Sequence, residues 1–425
     1  MIGVLAALAG GFLAGSATAE SLKEHARQYD TLLGSKILPY WHDTAQDSRF
    51  GGYLLADDLK GRGQAREKQL VGQARMVWGF SHAHLRGYND VTRNYLKAAE
   101  QGFRFLTNRF LDKIHGGYYW RTSLEGNATD PRKIVYGQSF VIYAFVEYYR
   151  ASGNRAALDH AMALYRVLQQ RAHDAKHGGW VEHFERDWTP LPPRAPNAEV
   201  ELAGYKSANT HLHLMEAFTE LYRETRDSQV KRSLVESLRI NKRYFYPPQP
   251  GQSAFHRLPD WSPVTDPRSA GLSYGHNVEF AWLMVQAEKA LSQRPSWSHF
   301  LAHINHALEY GYDHQRGGLY ALGAGNQPAS NRDKVWWVQS EMMAALAESL
   351  RYKPNPAHEA ALEKLIHFIN QYQADPKDGI WLDTVTEDGR PKSTGKAHSW
   401  KANYHDVRAL VKFVDAFQPG RPHLP

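Results

Sequence analysis

One turn recurs along this chain. Asp47 opens "DSRFGGYLL", Asp112 opens "DKIHGGYYW", Asp174 opens "DAKHGGWVE", Asp313 opens "DHQRGGLYA" and Asp375 opens "DPKDGIWLD". The steps between copies are 65, 62, 139 and 62 residues, so the long step spans a degraded copy, near residue 245 in "FYPPQPGQSAFH". Self-similarity at a fixed period means that one supersecondary unit is used repeatedly. Each unit reads as an amphipathic helix, the Asp-x-x-x-Gly-Gly turn with an aromatic strand residue, and a second helix. The glycines permit the positive φ that a tight turn requires. Apolar periodicity predicts helices near 22–41, 67–87, 91–110, 134–152, 155–172, 205–226, 228–245, 275–292, 296–312, 332–352, 356–373 and 401–416. Twelve helices in six hairpins predict an all-α fold, an (α/α)6 barrel with short β-hairpin turns. An open helical solenoid is the alternative, but six units without a capping signature favour closure.

Composition narrows the chemistry. The chain of 425 residues contains no cysteine, which excludes disulfides, a thiolate nucleophile and zinc–thiolate sites. The net charge of +7 comes from 51 basic and 44 acidic residues interspersed without long blocks, which is not a nucleic-acid footprint. The apolar run before Ala17-Thr18-Ala19 reads as an export signal cleaved after Ala19. It is short for a membrane span, and no later segment is long and apolar enough to be one. The expected organisation is therefore a signal over 1–19 and one barrel domain over 20–425, periplasmic or secreted, monomeric or weakly dimeric, with no membrane or nucleic-acid partner.

Two proline-rich stretches, 188–204 and 246–270, interrupt the pattern, and each precedes an even-numbered helix. Long loops beside a rigid scaffold often build a site. The unusual polar residues also fall on even helices, which line the inside of such a barrel. Arg75 lies in "QARMVW", Tyr136 opens the fourth helix, Asn209, His211 and His213 start the sixth, and His276 and Glu279 start the eighth. Trp336, Trp337, Gln339 and Glu341 sit on the tenth; Trp400, His405 and Arg408 belong to the twelfth. Asn209 and His213 are four apart and share a face, whereas His211 points away and is read as structural. Glu279, three residues after His276, is placed to orient that ring or hold its charge. His160, His299, His303 and His306 lie on odd helices and are read as solvated surface.

Histidine exchanges protons near neutral pH, tryptophan offers a flat platform for a sugar ring, and arginine and asparagine can stabilise an enediolate oxygen. The set is a kit for proton transfer alpha to a sugar carbonyl, without a redox cofactor. Glycoside hydrolysis would need two carboxylates facing across a bond, for which Glu216, Glu279 and Glu341 are candidates. A metal site could use His213-x-x-Glu216 and His276-x-x-Glu279, which read as reversed Glu-x-x-His pairs, but the further carboxylates such a site requires are not evident. A non-catalytic sugar-binding module would need the tryptophans but not three histidines.

At "QARMVWGFS", "KSANTHLHLMEAFTELY", "SYGHNVEFAWL", "WWVQSE" and "WKANYHDVRA" the chain resembles the N-acylglucosamine 2-epimerase superfamily, and within it the cellobiose 2-epimerases. The resemblance runs through most of the chain and implies the same barrel. It implies that His276 and His405 are an acid/base pair moving the C2 proton, and that His213 assists ring opening. It further implies that Arg75 and Asn209 bind oxygens of the opened sugar, that Glu279 supports its neighbouring histidine, and that Trp400 and Trp336 or Trp337 stack on sugar rings. Tyr136 joins the expected substrate-binding set. No cofactor or metal is expected, and the partner is a small-molecule carbohydrate. Ala208, Asn277 and Ser340 depart from residues common in the family, but none removes a proposed catalytic group. A relative that interconverts free aldoses and ketoses is the second reading.

Overall fold

A computed structural model describes residues 20–55, 65–196 and 198–418. The expected export signal over 1–19 lies outside the described residues. Twelve helices are present among those described, and we number them α1 to α12. Helix α1 covers 20–45 and contains the π turn Leu33–Ile37. The inner helices are α2 (Leu70–Leu85), α4 (Val135–Ser152), α6 (Ala208–Thr225), α8 (Tyr274–Ala290), α10 (Trp336–Tyr352) and α12 (His405–Phe417). The outer helices are α3 (Tyr95–Phe105), α5 (Arg155–Arg171), α7 (Ser228–Ile240), α9 (Trp297–Tyr310) and α11 (Pro356–Phe368), together with α1. Three of them, α3, α7 and α11, run straight into π turns.

Each inner helix packs on the next, α2 on α4, α4 on α6, and so on to α10 on α12. The ring closes between α12 and α2, where Arg75 donates to the Trp400 carbonyl and Arg86 pairs with Asp415. The expected (α/α)6 barrel is the observed fold. The two rings are recognisable in their sequences. Outer helices α3, α5, α7 and α11 begin with Asn94, Asn154, Asp227 and Asn355, whose side chains accept from first-turn amides. Inner helices are buried nearly all round, as α4 shows with fourteen consecutive buried residues from Val135 to Tyr148.

The recurring turn is a small ion-paired device. The Asp carboxylate accepts from amides two and three residues on, as Asp313 does from Gln315 and Arg316. The glycine pairs of the first four intact copies sit at φ between 69° and 91°, a region costly for any residue with a Cβ. A lysine then reaches back. Lys68 pairs with Asp47 at 2.7 Å, Lys133 with Asp112 at 3.0 Å, Lys206 with Asp174 at 2.8 Å, Lys334 with Asp313 at 2.8 Å and Lys396 with Asp375 at 3.2 Å. Sequence reading missed these lysines, although four of the five stand 21 residues after their aspartate.

Each pairing lysine except Lys396 lies in a strand just before an inner helix, and that strand pairs antiparallel with the strand beyond the next turn. Lys133–Ile134 pairs with His183–Phe184, and Lys334–Val335 with Thr384–Val385. The first amide of α2, α4, α6, α8 and α10 donates to a backbone carbonyl of Trp120, Glu182, Phe255, Ala321 and Asp383 respectively. In α2, α4 and α10 this bond takes the place of a side-chain cap, while in α6 and α8 it adds to the caps that Ser207 and Ser273 make. It also explains why helices expected from 67, 205 and 332 begin about three residues later: the strand residues continue the apolar pattern.

Five residues after the lysine, Gln73, Gln138 and Gln339 each accept from and donate to the strand residue after the glycines. His211 occupies that place in the third unit. Its Nε2 accepts from the Trp180 amide at 3.1 Å, and its Nδ1 donates to the Ser207 carbonyl at 2.7 Å. Burial pushes its pKa down to about 3, which leaves the ring neutral and able to accept. His211 is thus structural.

The fourth unit has lost the device. Pro247 stands in the aspartate's place and Leu272 in the lysine's. Here the sequence expectation for α9 is overturned. His299, His303 and His306 are buried, not solvated. His299 donates to the Tyr246 carbonyl at 2.8 Å and His303 to the Pro247 carbonyl at 3.1 Å, holding the degraded turn from the outer helix. His306 donates to the Gly325 carbonyl. His160 is half-buried against Phe103 and Phe145. His160, His299 and His303 thus sit on the faces of their outer helices that turn toward the preceding unit.

Burial pushes His303 from its ordinary 6.5 to about 3. A histidine held neutral in the fold takes up its proton only on unfolding, so its stabilisation is complete above pH 6.5 and declines as pH falls toward 3. The slope is ~1.4 kcal/mol per pH unit for one such group. The melting temperature is expected to drop between pH 6.5 and 4.5, and His303→Gln, which can still donate to Pro247, should flatten that drop. Unchanged slopes in thermal denaturation would contradict this account.

Candidate active site

The N-terminal ends of the inner helices surround a cavity of about 370 Å³, within the range of small-molecule sites. It is lined by Arg75, Tyr136, Asn209, His213, His276, Glu279, Trp336, Trp337, Trp400 and His405, together with Val200. The ten residues expected to act on or bind the sugar thus meet in one place. The repeat register explains how. The sixth residue of each of five inner helices forms the deeper layer: Arg75, Phe140, His213, Glu279 and Glu341. The second residue of α4, α6 and α10 stands nearer the mouth: Tyr136, Asn209 and Trp337. In α8 that second residue is Gly275, where a Cβ would lie 2.6 Å from the Trp337 ring. The missing side chain lets Trp337 pack against His276, with ring centroids 4.7 Å apart. The same indole lies 5.9 Å from His405.

Carboxylates orient two of the three imidazoles. His213 Nδ1 lies 2.8 Å from Glu216, and His405 Nδ1 lies 2.6 Å from Glu341. Burial pushes His405 to about 3, despite Glu341, and lowers His213 despite Glu216. In the neutral tautomer that donates Nδ1–H to its carboxylate, each ring keeps the Nε2 lone pair free. His276 differs. Its Nδ1 has no hydrogen-bond partner among the described residues, and burial pushes it to about 3.

The expected support of His276 by Glu279 is therefore corrected. Glu279 Oε1 accepts from Arg408 at 2.8 Å, and Glu279 makes no hydrogen bond to His276. It lies one turn deeper, where a buried guanidinium is the stronger partner. Arg408 joins three carboxylates: it also bonds Glu341 at 2.7 Å and Glu216. One cation cannot neutralise three buried carboxylates. Burial and the neighbouring Glu341 push Glu279 well above the usual carboxylate range. Burial works against charge on Glu341 too, but Arg408 and His405 overcome it and hold Glu341 at about 2. Of the three carboxyls Glu279 is accordingly the one whose charge the site opposes most, and its Oε2 has no hydrogen-bond partner among the described residues. Sequence reading had Arg408 in view without a role. Its spacing of three from His405 was the available signal.

One donor atom each from Glu279, Glu341 and His405 lies within 4.8 Å of the others, a grouping that could suit a cation. The charge among them is supplied by Arg408. With Glu216 and Glu341 bound to Arg408 and to histidines, no carboxylate pair among the described residues stands free across the cavity as glycoside hydrolysis would need.

Arg75 donates to the Tyr136 hydroxyl at 3.0 Å and lies over the rings of Phe140 and Tyr404. Asn209 Oδ1 has no hydrogen-bond partner among the described residues. The one lining residue that sequence reading did not name is Val200, from the proline-rich 188–204 segment. Its φ is 71°, a conformation costing about 1–3 kcal/mol for a residue of this kind. Only the location of the insertion pointed toward it.

A match to the N-acylglucosamine 2-epimerase family spans residues 52–409. The cellobiose 2-epimerase of Dictyoglomus turgidum is 27% identical, over 90% of this chain and 96% of its own length. The solved structure of cellobiose 2-epimerase from Spirochaeta thermophila is 30% identical and superposes with a TM-score of 0.83, covering 94% of this chain and 98% of that one. A D-mannose isomerase of Marinomonas mediterranea is 22% identical over 89% of this chain and 94% of its own. Fold, site and kinship define a carbohydrate epimerase of the isomerase class. The chain belongs to the N-acylglucosamine 2-epimerase family.

Proposed function

We propose that the protein is a 2-epimerase acting on the reducing-end sugar of a β-1,4-linked disaccharide of the cellobiose or mannobiose type. The observation that carries the reading is the convergence of His213, His276 and His405 with Arg75 and Asn209 in one cavity whose mouth is rimmed by tryptophans. His213 assists opening of the sugar ring. One of His276 and His405 takes the C2 proton, giving a cis-enediolate whose oxygens are held by Arg75 and Asn209. The other returns a proton to the opposite face, and the two exchange roles when the reaction runs backward. Glu341 stabilises the imidazolium that forms on His405. Trp400 and Trp336 or Trp337 stack on sugar rings. Neither a cofactor nor a metal is part of this scheme. With an export signal over 1–19, the enzyme would work on oligosaccharide fragments in the periplasm or outside the cell. Kinship to D-mannose isomerases supports a second reading, aldose–ketose isomerisation, which shares the enediolate but reprotonates C1.

The proton's fate separates the two. Incubation with cellobiose in D2O, followed by NMR of the products, is expected to give the epimer deuterated at C2 and protiated at C1. Label at C1 of a ketose would favour isomerisation. Epimer formed without any label would contradict both schemes, because an imidazolium exchanges its proton with solvent. Parallel incubation with mannobiose, glucose and mannose defines the substrate range.

A further inference from the structure

Val200 is held in place from both sides. Glu199 precedes it, and its carboxylate bonds Arg121 and Arg132, while its carbonyl accepts from His183 Nε2 at 2.7 Å. Glu201 follows it and takes His256 Nε2 at 2.8 Å; the other nitrogen of that ring meets Ser269 Oγ at 2.8 Å. The first clamp belongs to the strands of the second and third units. The second ties the 188–204 insertion to the 246–270 insertion, so the two long loops brace each other across Val200. Both acidic side chains are drawn onto cations and histidines. Between them, the half-buried valine faces the cavity.

The conformation is informative. Glycine or asparagine occupies positive φ far more easily than valine, and a β-branched residue there is an outlier. Backbone strain of this kind is kept where the surrounding structure enforces it, and it clusters at ligand sites. Here the enforced outcome is an apolar side chain, flanked by outward-turned charges, at a cavity wall.

The ring order fixes which wall. Val200 lies on the loop entering α6, beside Tyr136 of α4 and Asn209 of α6. Trp336 and Trp337 come from α10, which stands across the six-helix ring from α4, whereas the Trp400 ring lies 6.3 Å from Tyr136, on the same side as Val200. The reacting sugar is confined to the part of the cavity that His213, His276 and His405 reach. On that reading a second sugar linked to it would extend toward the mouth, between Trp337 of α10 and Val200.

We propose that Val200 is a specificity-determining residue: it forms the apolar wall, opposite Trp336 and Trp337 of α10, against the non-reacting second sugar of a disaccharide substrate. The inference rests on the functional reading above. A polar or absent side chain would forfeit contact with the C–H face of that ring while leaving the imidazoles undisturbed. The effect belongs in KM for disaccharides and not in turnover.

The test compares Val200→Gly and Val200→Asn with the parent enzyme, both residues being at ease at positive φ. Each variant should melt at or above the parent temperature, since backbone strain is relieved. KM for cellobiose or mannobiose should rise about tenfold in both, with kcat within twofold and with kcat/KM for glucose or mannose unchanged. Equal losses on disaccharide and monosaccharide would overturn the assignment, as would unchanged KM for disaccharides. If the parent enzyme epimerises none of these sugars, the functional reading fails. Val200 is then judged by titrating cellobiose and glucose against intrinsic tryptophan fluorescence: a tenfold weaker dissociation constant for cellobiose alone upholds the wall, and equal or absent changes remove it.

Discussion

His405→Ala and His276→Ala are each expected to lower kcat by ~10²–10⁴, the usual contribution of a positioned acid or base. The two should nonetheless differ in one respect. His405 is bonded to Glu341, which in turn shares Arg408 with Glu279. His276 packs on Trp337 with its Nδ1 unpartnered. Removing His405 therefore leaves Glu341 with one partner fewer in a buried place, and a loss of thermal stability should accompany the loss of rate. Removing His276 should cost rate with little change in melting temperature. Steady-state kinetics with differential scanning calorimetry reads both quantities. Either variant retaining near-parental turnover on every tested sugar would eliminate the two-histidine scheme.

Arg408→Met should be more damaging to the fold. The guanidinium is the shared partner of Glu216, Glu279 and Glu341, and it lies over the rings of Trp282 and Tyr404. Breaking a buried pair by deleting one partner costs about 3–5 kcal/mol, because the remaining charge is stranded. Here more than one carboxylate is stranded, so at neutral pH the carboxyls must take up protons or the site must open to water. Protonated Glu216 and Glu341 could no longer hold His213 and His405 in the tautomer that frees Nε2, and activity should fall together with stability. Partial recovery of melting temperature at mildly acidic pH, where carboxyls are more readily protonated, would identify stranded charge as the cause. A stable, active Arg408→Met enzyme would show that the carboxylates are balanced by other groups.

The repeat carried most of the fold. Five aspartates and their glycines were enough to count units, and apolar periodicity located all twelve helices, because a closed ring of hairpins repeats the same burial demands in each unit. The lining residues were legible for the same reason: side chains that are costly to bury, such as Arg75, His213 and Glu279, sat on helices that otherwise bury almost everything. What local patterns could not supply was partnership across the ring. Glu279 is three residues from His276, yet its partner is Arg408, 129 positions away. His299 and His303 appeared to be surface residues because nothing in their own helix shows that the fourth turn lacks its aspartate and lysine. Val200 could not be read from its neighbours, since its conformation is imposed by side chains of three other segments.

The layering of the cavity has a consequence for how such a protein can change. On the reading proposed above, the proton-handling histidines belong to inner helices, and those of α6 and α8 stand in helices whose first amides are tied to neighbouring backbone, while Val200 comes from an insertion outside the repeat. On those readings proton transfer and the Val200 side of sugar choice are written into different parts of the chain. A lineage could exchange the insertion and acquire a new substrate without rebuilding its acid–base apparatus, and a laboratory library confined to 188–204 would explore selectivity at little risk to the catalytic core.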